Sequence, residues 1–416
     1  MNLQEIGKRA KAAARLAARL STNEKNRILR LVADALEADT AALLAANAPD
    51  VVNATNDGKN AAFIDRLTLT EARIATMARD MRNVAALDDP VNEVMEMKTL
   101  PSGITVGKKR VPLGVVGVIY ESRPNVTADV FGLCFKAGNV AILRGGKEAI
   151  NTNTAITNTC RNALAENGLS PDFIQLVEDT SREGALEMMR LTEYLDVLIP
   201  RGNGGLIKAV VENSRVPVIE TGMGNCHIFV DASADLDKAT RIILNAKTQR
   251  PGVCNACEKL LVHRAVADSY LPAVCKALAD AGVELRGNRA AADICADITL
   301  VPPEAAEWHN EYLDLIIGIA VVDNLSAAID HITAHSTGHS EAILTESYAN
   351  AQTFLQEVDS AAVYVNASTR FTDGSEFGLG AEIGISTQKL HARGPMGLRE
   401  LTSYKYIVYG NGEVRG

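Results

Sequence analysis

Residues 114–125 read GVVGVIYESRPN. An apolar run at 115–120 leads into a polar turn ending in Pro124-Asn125, and a helical stretch follows at 127–137. The run reads as a strand that feeds a helix. Working outward, the same alternation repeats. Short apolar runs at 140–143, 173–177 and 195–199 are separated by longer helical stretches, 148–166 among them. Strand and helix in alternation predict βαβ units and a parallel sheet. In such sheets ligands sit beyond the carboxyl ends of the strands, so the turns after these runs are where chemistry is expected.

A second alternation starts past Thr221-Gly222-Met223-Gly224, where glycines interrupt the pattern. It predicts strands at 228–230, 259–262, 316–322, 342–344 and 362–365, with helices at 236–247, 266–281 and 326–333. The fold class is therefore α/β, with two Rossmann-like parallel-sheet domains. Residues 1–90 read as helices. Ser21-Thr22-Asn23-Glu24 has capping-box spacing, and Ile28, Leu31, Val32, Ala35 and Leu36 follow at helical intervals. Turn residues between short extended pieces at 99–112 suggest a hairpin, and 402–409 reads as an edge strand.

The chain has 416 residues, more than one ordinary core needs. Hydrophobic residues make up 47% and charged residues 22%, which argues against a disordered or fibrous chain. No run approaches eighteen unbroken apolar residues, so no membrane span is expected. The first twenty residues mix Lys8, Arg9, Lys11 and Arg15 with Glu5, unlike a secretory signal, which makes the cytoplasm the expected location. A net charge of −9 disfavours nonspecific nucleic-acid binding, which needs phosphate neutralisation by Lys and Arg. Seven cysteines, an odd number at scattered spacing, do not suggest a disulfide framework.

The sharpest chemical feature is Thr248-Gln249-Arg250-Pro251-Gly252-Val253-Cys254-Asn255-Ala256-Cys257. Pro251 and Gly252 make a tight loop able to hold Cys254 at a fixed angle, and Lys247 and Arg250 are nearby cations that favour a thiolate. The competing reading is a buried structural cysteine. Asn125, just after the first strand, is either a helix cap or an amide donor that completes an oxyanion hole with the Cys254 N–H. One such donor is worth about 3 kcal/mol in a transition state. Arg201-Gly202-Asn203-Gly204-Gly205 follows a strand and opens a helix, a place suited to phosphate, although it is not G-x-G-x-x-G. Arg144-Gly145-Gly146-Lys147 repeats that arrangement, with Arg144 and Lys147 placed for an adenosine ribose or its 2′-phosphate. Glu220, before Gly222, is either a pocket residue facing the nucleophile or a charge at a sheet edge.

Six stretches, in order, carry a resemblance: 114–125, 141–150, 220–231 (ETGMGNCHIFVD), 245–256 (NAKTQRPGVCNA), 331–343 (HITAHSTGHSEAI) and 377–397. Together they resemble the aldehyde dehydrogenase superfamily, and within it the branch that reduces an acyl phosphate on the way from glutamate to proline. The resemblance implies an NADPH-binding domain over 1–97 and 113–225. It implies a catalytic domain carrying Cys254 over 226–366, an oligomerisation arm at 98–112 and 401–416, and a return segment at 367–400. It also implies a homodimer or homotetramer. The substrate would be L-glutamyl 5-phosphate, attacked by Cys254 to release phosphate and leave a thioester, which NADPH reduces to the semialdehyde. Transient contact with glutamate 5-kinase, the source of that labile substrate, fits the same picture. Arg144, Gly145, Gly146, Lys147, Gly202, Gly204, Gly205 and Glu220 fall to the cofactor. Arg123, Arg250, Ser336 and Thr337 are candidates for substrate. Oxidising relatives carry E-[Leu or Met]-Gly-Gly and use that Glu to activate water; here the segment is Glu-Thr-Gly-Met-Gly, which puts a base role for Glu220 in doubt.

Two patterns compete for attention. Cys254-Asn-Ala-Cys257 has C-x-x-C spacing, but the chain lacks a thioredoxin-like pattern, so Cys257 is read as packing. His331, His335 and His339 are four apart, but Ser336-Thr337-Gly338 breaks the helix between them, so no metal site is expected. Two other functions remain in view: an NAD(P)-dependent dehydrogenase that oxidises an aldehyde to the free acid, and an inactive member serving as a binding subunit.

Overall fold

The computed structural model describes residues 2–415; Met1 and Gly416, the outer ends of the expected segments 1–97 and 401–416, lie outside the described residues. The chain divides into two compact units. The first runs to Thr221 and takes back Gly378–Gly384 and the residues from Met396 onward. The second is Gly222–Phe377 with Ile385–Pro395.

Five helices open the first unit: Leu3–Ala17, Thr22–Ala38, Thr40–Asn56, Ala61–Leu67 and Glu71–Ala86. The capping box forms, with the Ser21 hydroxyl accepting from Glu24 N and the Glu24 carboxylate accepting from Ser21 N. Ile28, Val32 and Leu36 are buried as one stripe, with Leu29 and Ala33 widening it. The sheet behind these helices has four parallel strands in the order Ile174–Leu176, Val140–Arg144, Val115–Tyr120, Val197–Arg201. Every residue of Val115–Tyr120 is buried, as expected for a parallel strand with helices on both faces. The hairpin starts earlier than its turn residues suggested, pairing Val94–Thr99 with Thr105–Pro112; Thr402–Tyr409 adds to it antiparallel.

The second unit is built on seven parallel strands. Their order is Thr299–Leu300, Glu284–Gly287, Ile316–Val322, Cys257–His263, Cys226–Val230, Ser340–Leu344, Ala362–Val365. Helices Leu236–Thr248 and Arg264–Asp280 pack their apolar stripes on one side, around Ile243, Leu271 and Val274. The other side is covered around Phe229, Trp308, Ile332 and Phe354. Two short antiparallel strands, Ile385–Ser386 and Gly394–Pro395, complete this unit.

The sequence put the changeover at 225/226. The chain leaves the first unit four residues earlier, because Thr221 Oγ1 still donates to Pro200 O at 2.7 Å while Gly222 N already donates to Ile385 O. Residues 367–377, read as part of a return segment, belong to the second unit. They are tied there by the buried Asn255, whose Nδ2 donates to Thr372 O at 2.8 Å.

Candidate active site

In the first unit, parallel pairing puts the carboxyl ends of all four strands on one edge. Arg123, Asn125, Gly145, Gly146, Lys147, Gly202, Gly204 and Gly205 all follow those ends directly, and Glu220 follows a short bridge from Val218 to Leu198. Asn125 does not cap its helix; it is the first residue of Asn125–Lys136, with Pro124 in the cap position. Its exposed side chain donates from Nδ2 to Asp129 Oδ2 at 2.9 Å, one turn on. Desolvation pushes the Asp129 carboxyl up to about 6, and the Asn125 hydrogen bond pulls the other way.

The basic loop separates into two roles. Arg144 is half-buried, and its Nη2 donates to Thr180 O and Ser181 O at 2.6 and 2.7 Å, bracing the turn after the edge strand. Its Nε is buried with no hydrogen bond among the described residues. Lys147 is exposed beside a cavity of about 320 Å³ lined by Asn53, Asn56 and Asp57. Its neighbour Glu148 is engaged by Ser122 and Lys59. At the glycine loop, the Asn203 side chain caps Leu206 N, so Gly204 and Gly205 present the first two N–H groups of a ten-residue helix. Glu121 accepts from Asn203 N at 2.9 Å and holds the turn in place. An exposed lysine and free helix N–H groups on one sheet edge fit the phosphates of a dinucleotide. Arg144, with Nη2 bound to backbone, fits that role less well than Lys147.

In the second unit, Cys254 stands on the turn between helix Leu236–Thr248 and strand Cys257–His263. Among the described residues it is the one cysteine that is partly exposed; Cys134, Cys160, Cys226, Cys257, Cys275 and Cys295 are buried. The loop backbone is fixed from three sides. Cys226 Sγ donates to the Cys254 carbonyl at 3.1 Å. Thr369 Oγ1 donates to Asn255 O at 2.7 Å. Gly224 lies so close that a Cβ there would meet the Cys254 carbonyl oxygen at 1.4 Å. Gly224 N in turn donates to Glu311 Oε1 at 2.8 Å.

Several expected neighbours are committed elsewhere. Lys247 is fully buried and its ammonium pairs with Glu258 at 3.2 Å. Cys257 faces the core, and burial pushes its thiol up to about 12. Ser336 donates to the buried Glu341, and Thr337 Oγ1 donates to Met223 O at 2.6 Å while accepting from Asn225 N. The Thr337 hydroxyl therefore stitches the 222–225 segment in place, while the Ser336 hydroxyl is held by Glu341 and Gly338 N. Arg250 is exposed, four residues before Cys254.

His331 and His335 are partly buried and join a ring cluster with the buried His227 and Trp308, while His339 is buried outside it. The helix carrying His331 ends at His335, as the Ser-Thr-Gly break predicts. His331 and His335 rings lie 4.5 Å apart, with Trp308 and His227 edge-on to His331. Desolvation pushes His227 and His331 down to about 3, and pushes Glu341 up to about 8. The His227 Nδ1–Glu341 Oε2 contact at 3.3 Å is thus between neutral groups rather than an ion pair.

Sequence reasoning missed Arg370, Asp129, Gly224 and Asn255. Asn255 adjoins Cys254 in sequence and was there to be noticed. Arg370 had no signal, since only folding brings residues 369–372 to the Cys254 loop.

The model of the family described as "Aldehyde dehydrogenase family" matches residues 1–296. The chain belongs to the aldehyde dehydrogenase family. A nicotinamide cofactor goes with that membership. The chain is 55% identical to the gamma-glutamyl phosphate reductase of Lachnospira eligens and 56% identical to that of Caldicellulosiruptor bescii, covering 100% of this chain and 99% of each relative. The crystal structure of gamma-glutamyl phosphate reductase from Thermotoga maritima superposes with a TM-score of 0.97 at 50% identity, over 100% of both chains. Among the described residues no helix is long and apolar enough to cross a membrane.

Proposed function

We propose that this aldehyde dehydrogenase family member reduces L-glutamyl 5-phosphate to L-glutamate 5-semialdehyde, with NADPH as the nicotinamide and Cys254 as the nucleophile. The observation that carries the reading is the Cys254 loop: a partly exposed thiol on a backbone locked by Gly224, Cys226 and Asn255. A merely structural cysteine needs no such fixed presentation.

The Cys254 thiolate attacks the γ-acyl carbon. Charge develops on the acyl oxygen, and the Asn125 amide and the Cys254 N–H are the donors assigned to it. Asp129 aims that amide by holding one of its two N–H bonds. The carbonyl re-forms as phosphate departs, leaving the acyl group on sulfur. The nicotinamide, when bound, supplies the hydride that brings the thioester to the aldehyde level. Collapse then expels the Cys254 thiolate and frees the aldehyde, so no water need be activated and Glu220 needs no base role. Lys147 and the Gly204 and Gly205 N–H groups are the cofactor's anion donors in this reading. The exposed Tyr404, Tyr406, Val408 and Tyr409 on the three-stranded sheet suit the oligomerisation arm.

The reverse reaction tests it. Semialdehyde and NADP should yield NADPH only when inorganic phosphate is present, and Cys254→Ala should abolish the signal. Equal turnover in phosphate-free buffer would instead mark an enzyme that forms the free acid.

A further inference from the structure

Arg370 is the cation that the mechanism leaves unexplained. It is half-buried in the middle of the short turn Thr369–Phe371. Its Nε donates to Gln249 Oε1 at 2.8 Å and its Nη1 to Asn255 Oδ1. Those two acceptors flank the Cys254 loop on either side, so the guanidinium is held across the loop that presents the thiol. Nη2 makes no hydrogen bond to the described residues.

The surroundings are of mixed charge. Arg370 lines a cavity of about 240 Å³ with Asn245, Gln249, Phe371, Asp373 and Glu376. Asp373 Oδ1 caps Ser375 N at 2.9 Å, which fixes that carboxylate. Desolvation, and then Arg250 close by, both work against the Arg370 charge, while Asp373 favours it. A guanidinium kept half-buried near a second cation is costly unless an anion joins it. A phosphoryl group is a poor match, because two carboxylates line the same small space. An α-amino acid head group is a good one: its carboxylate meets the guanidinium, its ammonium meets Asp373 and Glu376, and the amides of Asn245 and Gln249 supply further polar contacts.

We propose that Arg370 is a specificity-determining residue that binds the substrate's α-carboxylate, with Asp373 receiving the α-ammonium, so that this cavity selects amino-acid aldehydes over simple ones. The inference rests on the function proposed above, since it is the γ-acyl end of the same molecule that must reach Cys254.

The test compares three aldehydes in the phosphate-dependent reverse reaction: glutamate 5-semialdehyde, 5-oxopentanoate, which keeps the carboxylate but lacks the ammonium, and pentanal, which lacks both. The readout is the ratio of kcat/KM values. Arg370→Gln should lower the preference for both carboxylate-bearing aldehydes over pentanal by about 10- to 100-fold, the effect of losing one charge-assisted hydrogen bond, and Arg370→Lys should restore part of it. Asp373→Asn should lower only the preference for the semialdehyde over 5-oxopentanoate. A uniform loss on all three aldehydes would make Arg370 a brace for the Cys254 loop and overturn the proposal. So would a rise in the KM for phosphate with the aldehyde ratios intact, which would give Arg370 to the phosphoryl group. Unchanged ratios and constants would also overturn it. If the wild type itself shows no phosphate-dependent turnover, it is the proposed function that fails, and this comparison separates the two.

Discussion

Gly224 and Cys254 share one space: the carbonyl oxygen of Cys254 occupies the position that a side chain on residue 224 would need, 1.4 Å from an ideal Cβ. No rotamer relieves such an overlap, because the obstructing atom is backbone. The glycine is what lets the segment after the first unit lie flat against the nucleophile loop, and Glu311 pins it there through Gly224 N. Gly224→Ala must therefore push the Cys254 turn outward. A displacement near 1 Å at a reacting atom costs about 100-fold in rate. The expected outcome is a loss of kcat of that order, with Cys254 alkylated by iodoacetamide at a changed rate. A variant with wild-type kcat would show that the two backbones separate without consequence.

The acid limb of activity is assigned to Asp129. Its carboxyl sits at about 6, raised by desolvation from the usual 3.8. Above that pH it is ionised and accepts from Asn125 Nδ2; below it the carboxylate is lost and the amide is held less firmly. Activity should fall as pH drops through about 6. Asp129→Asn retains an acceptor oxygen but cannot titrate, so its profile should be flat across that range. A limb of equal size and position in the variant would assign the titration to another group.

Glu341 gives a stability signature of opposite origin to an ordinary salt bridge. Burial raises its carboxyl from 4.5 to about 8. Between those two values the folded state keeps a proton that the unfolded chain has released. Stability from this group is therefore fully present below 4.5 and declines as pH rises toward 8, at up to about 1.4 kcal/mol per pH unit. Glu341→Gln removes the titration and keeps one acceptor oxygen, which can face the His227 backbone N–H while its NH2 faces the Ser336 oxygen, since the two bond different carboxyl oxygens in the wild type. Urea midpoints measured from pH 5 to 8 should slope downward in the wild type and much less in the variant.

Much of the fold was legible because the signals were local. The runs Val115–Tyr120, Ile316–Val322 and Ala362–Val365 are strands with the limits that their apolar patterning set, and Ser21 with Glu24 marked a helix start three residues apart. Sequence order also exposed Cys254, because Pro251-Gly252 announces a turn next to a strand. What stayed hidden depends on distant segments meeting. Ser336 and Thr337 are polar residues in a family-like stretch, and only the folded chain shows their hydroxyls spent on Glu341 and Met223. Lys247 looked like a neighbour that could favour the thiolate, but its helix turns it inward to Glu258. Arg370 reaches Gln249 and Asn255 across more than a hundred residues of chain, a relation that no periodicity encodes.

The two cysteines of Cys254-Asn-Ala-Cys257 should part company in mutagenesis. The turn places Cys254 half-exposed, whereas Cys257 opens the next strand with its side chain among Ile228, Ile243 and Leu260. Among the described residues its Sγ makes one hydrogen bond, to Lys259 O at 3.4 Å, a length suited to sulfur and too long for a good bond from a hydroxyl. Cys257→Ser would thus bury a poorly satisfied oxygen in hydrocarbon, at a cost of about 1–3 kcal/mol. The variant should melt lower yet turn over substrate at the wild-type kcat, because nothing in the mechanism passes through that thiol. Peroxide treatment should inactivate it as it does the wild type, since oxidation begins at Cys254. A Cys257→Ser enzyme that is stable but slow, or one protected from peroxide, would mean that the pair acts together and that the core-facing position of Cys257 is not the one used in turnover.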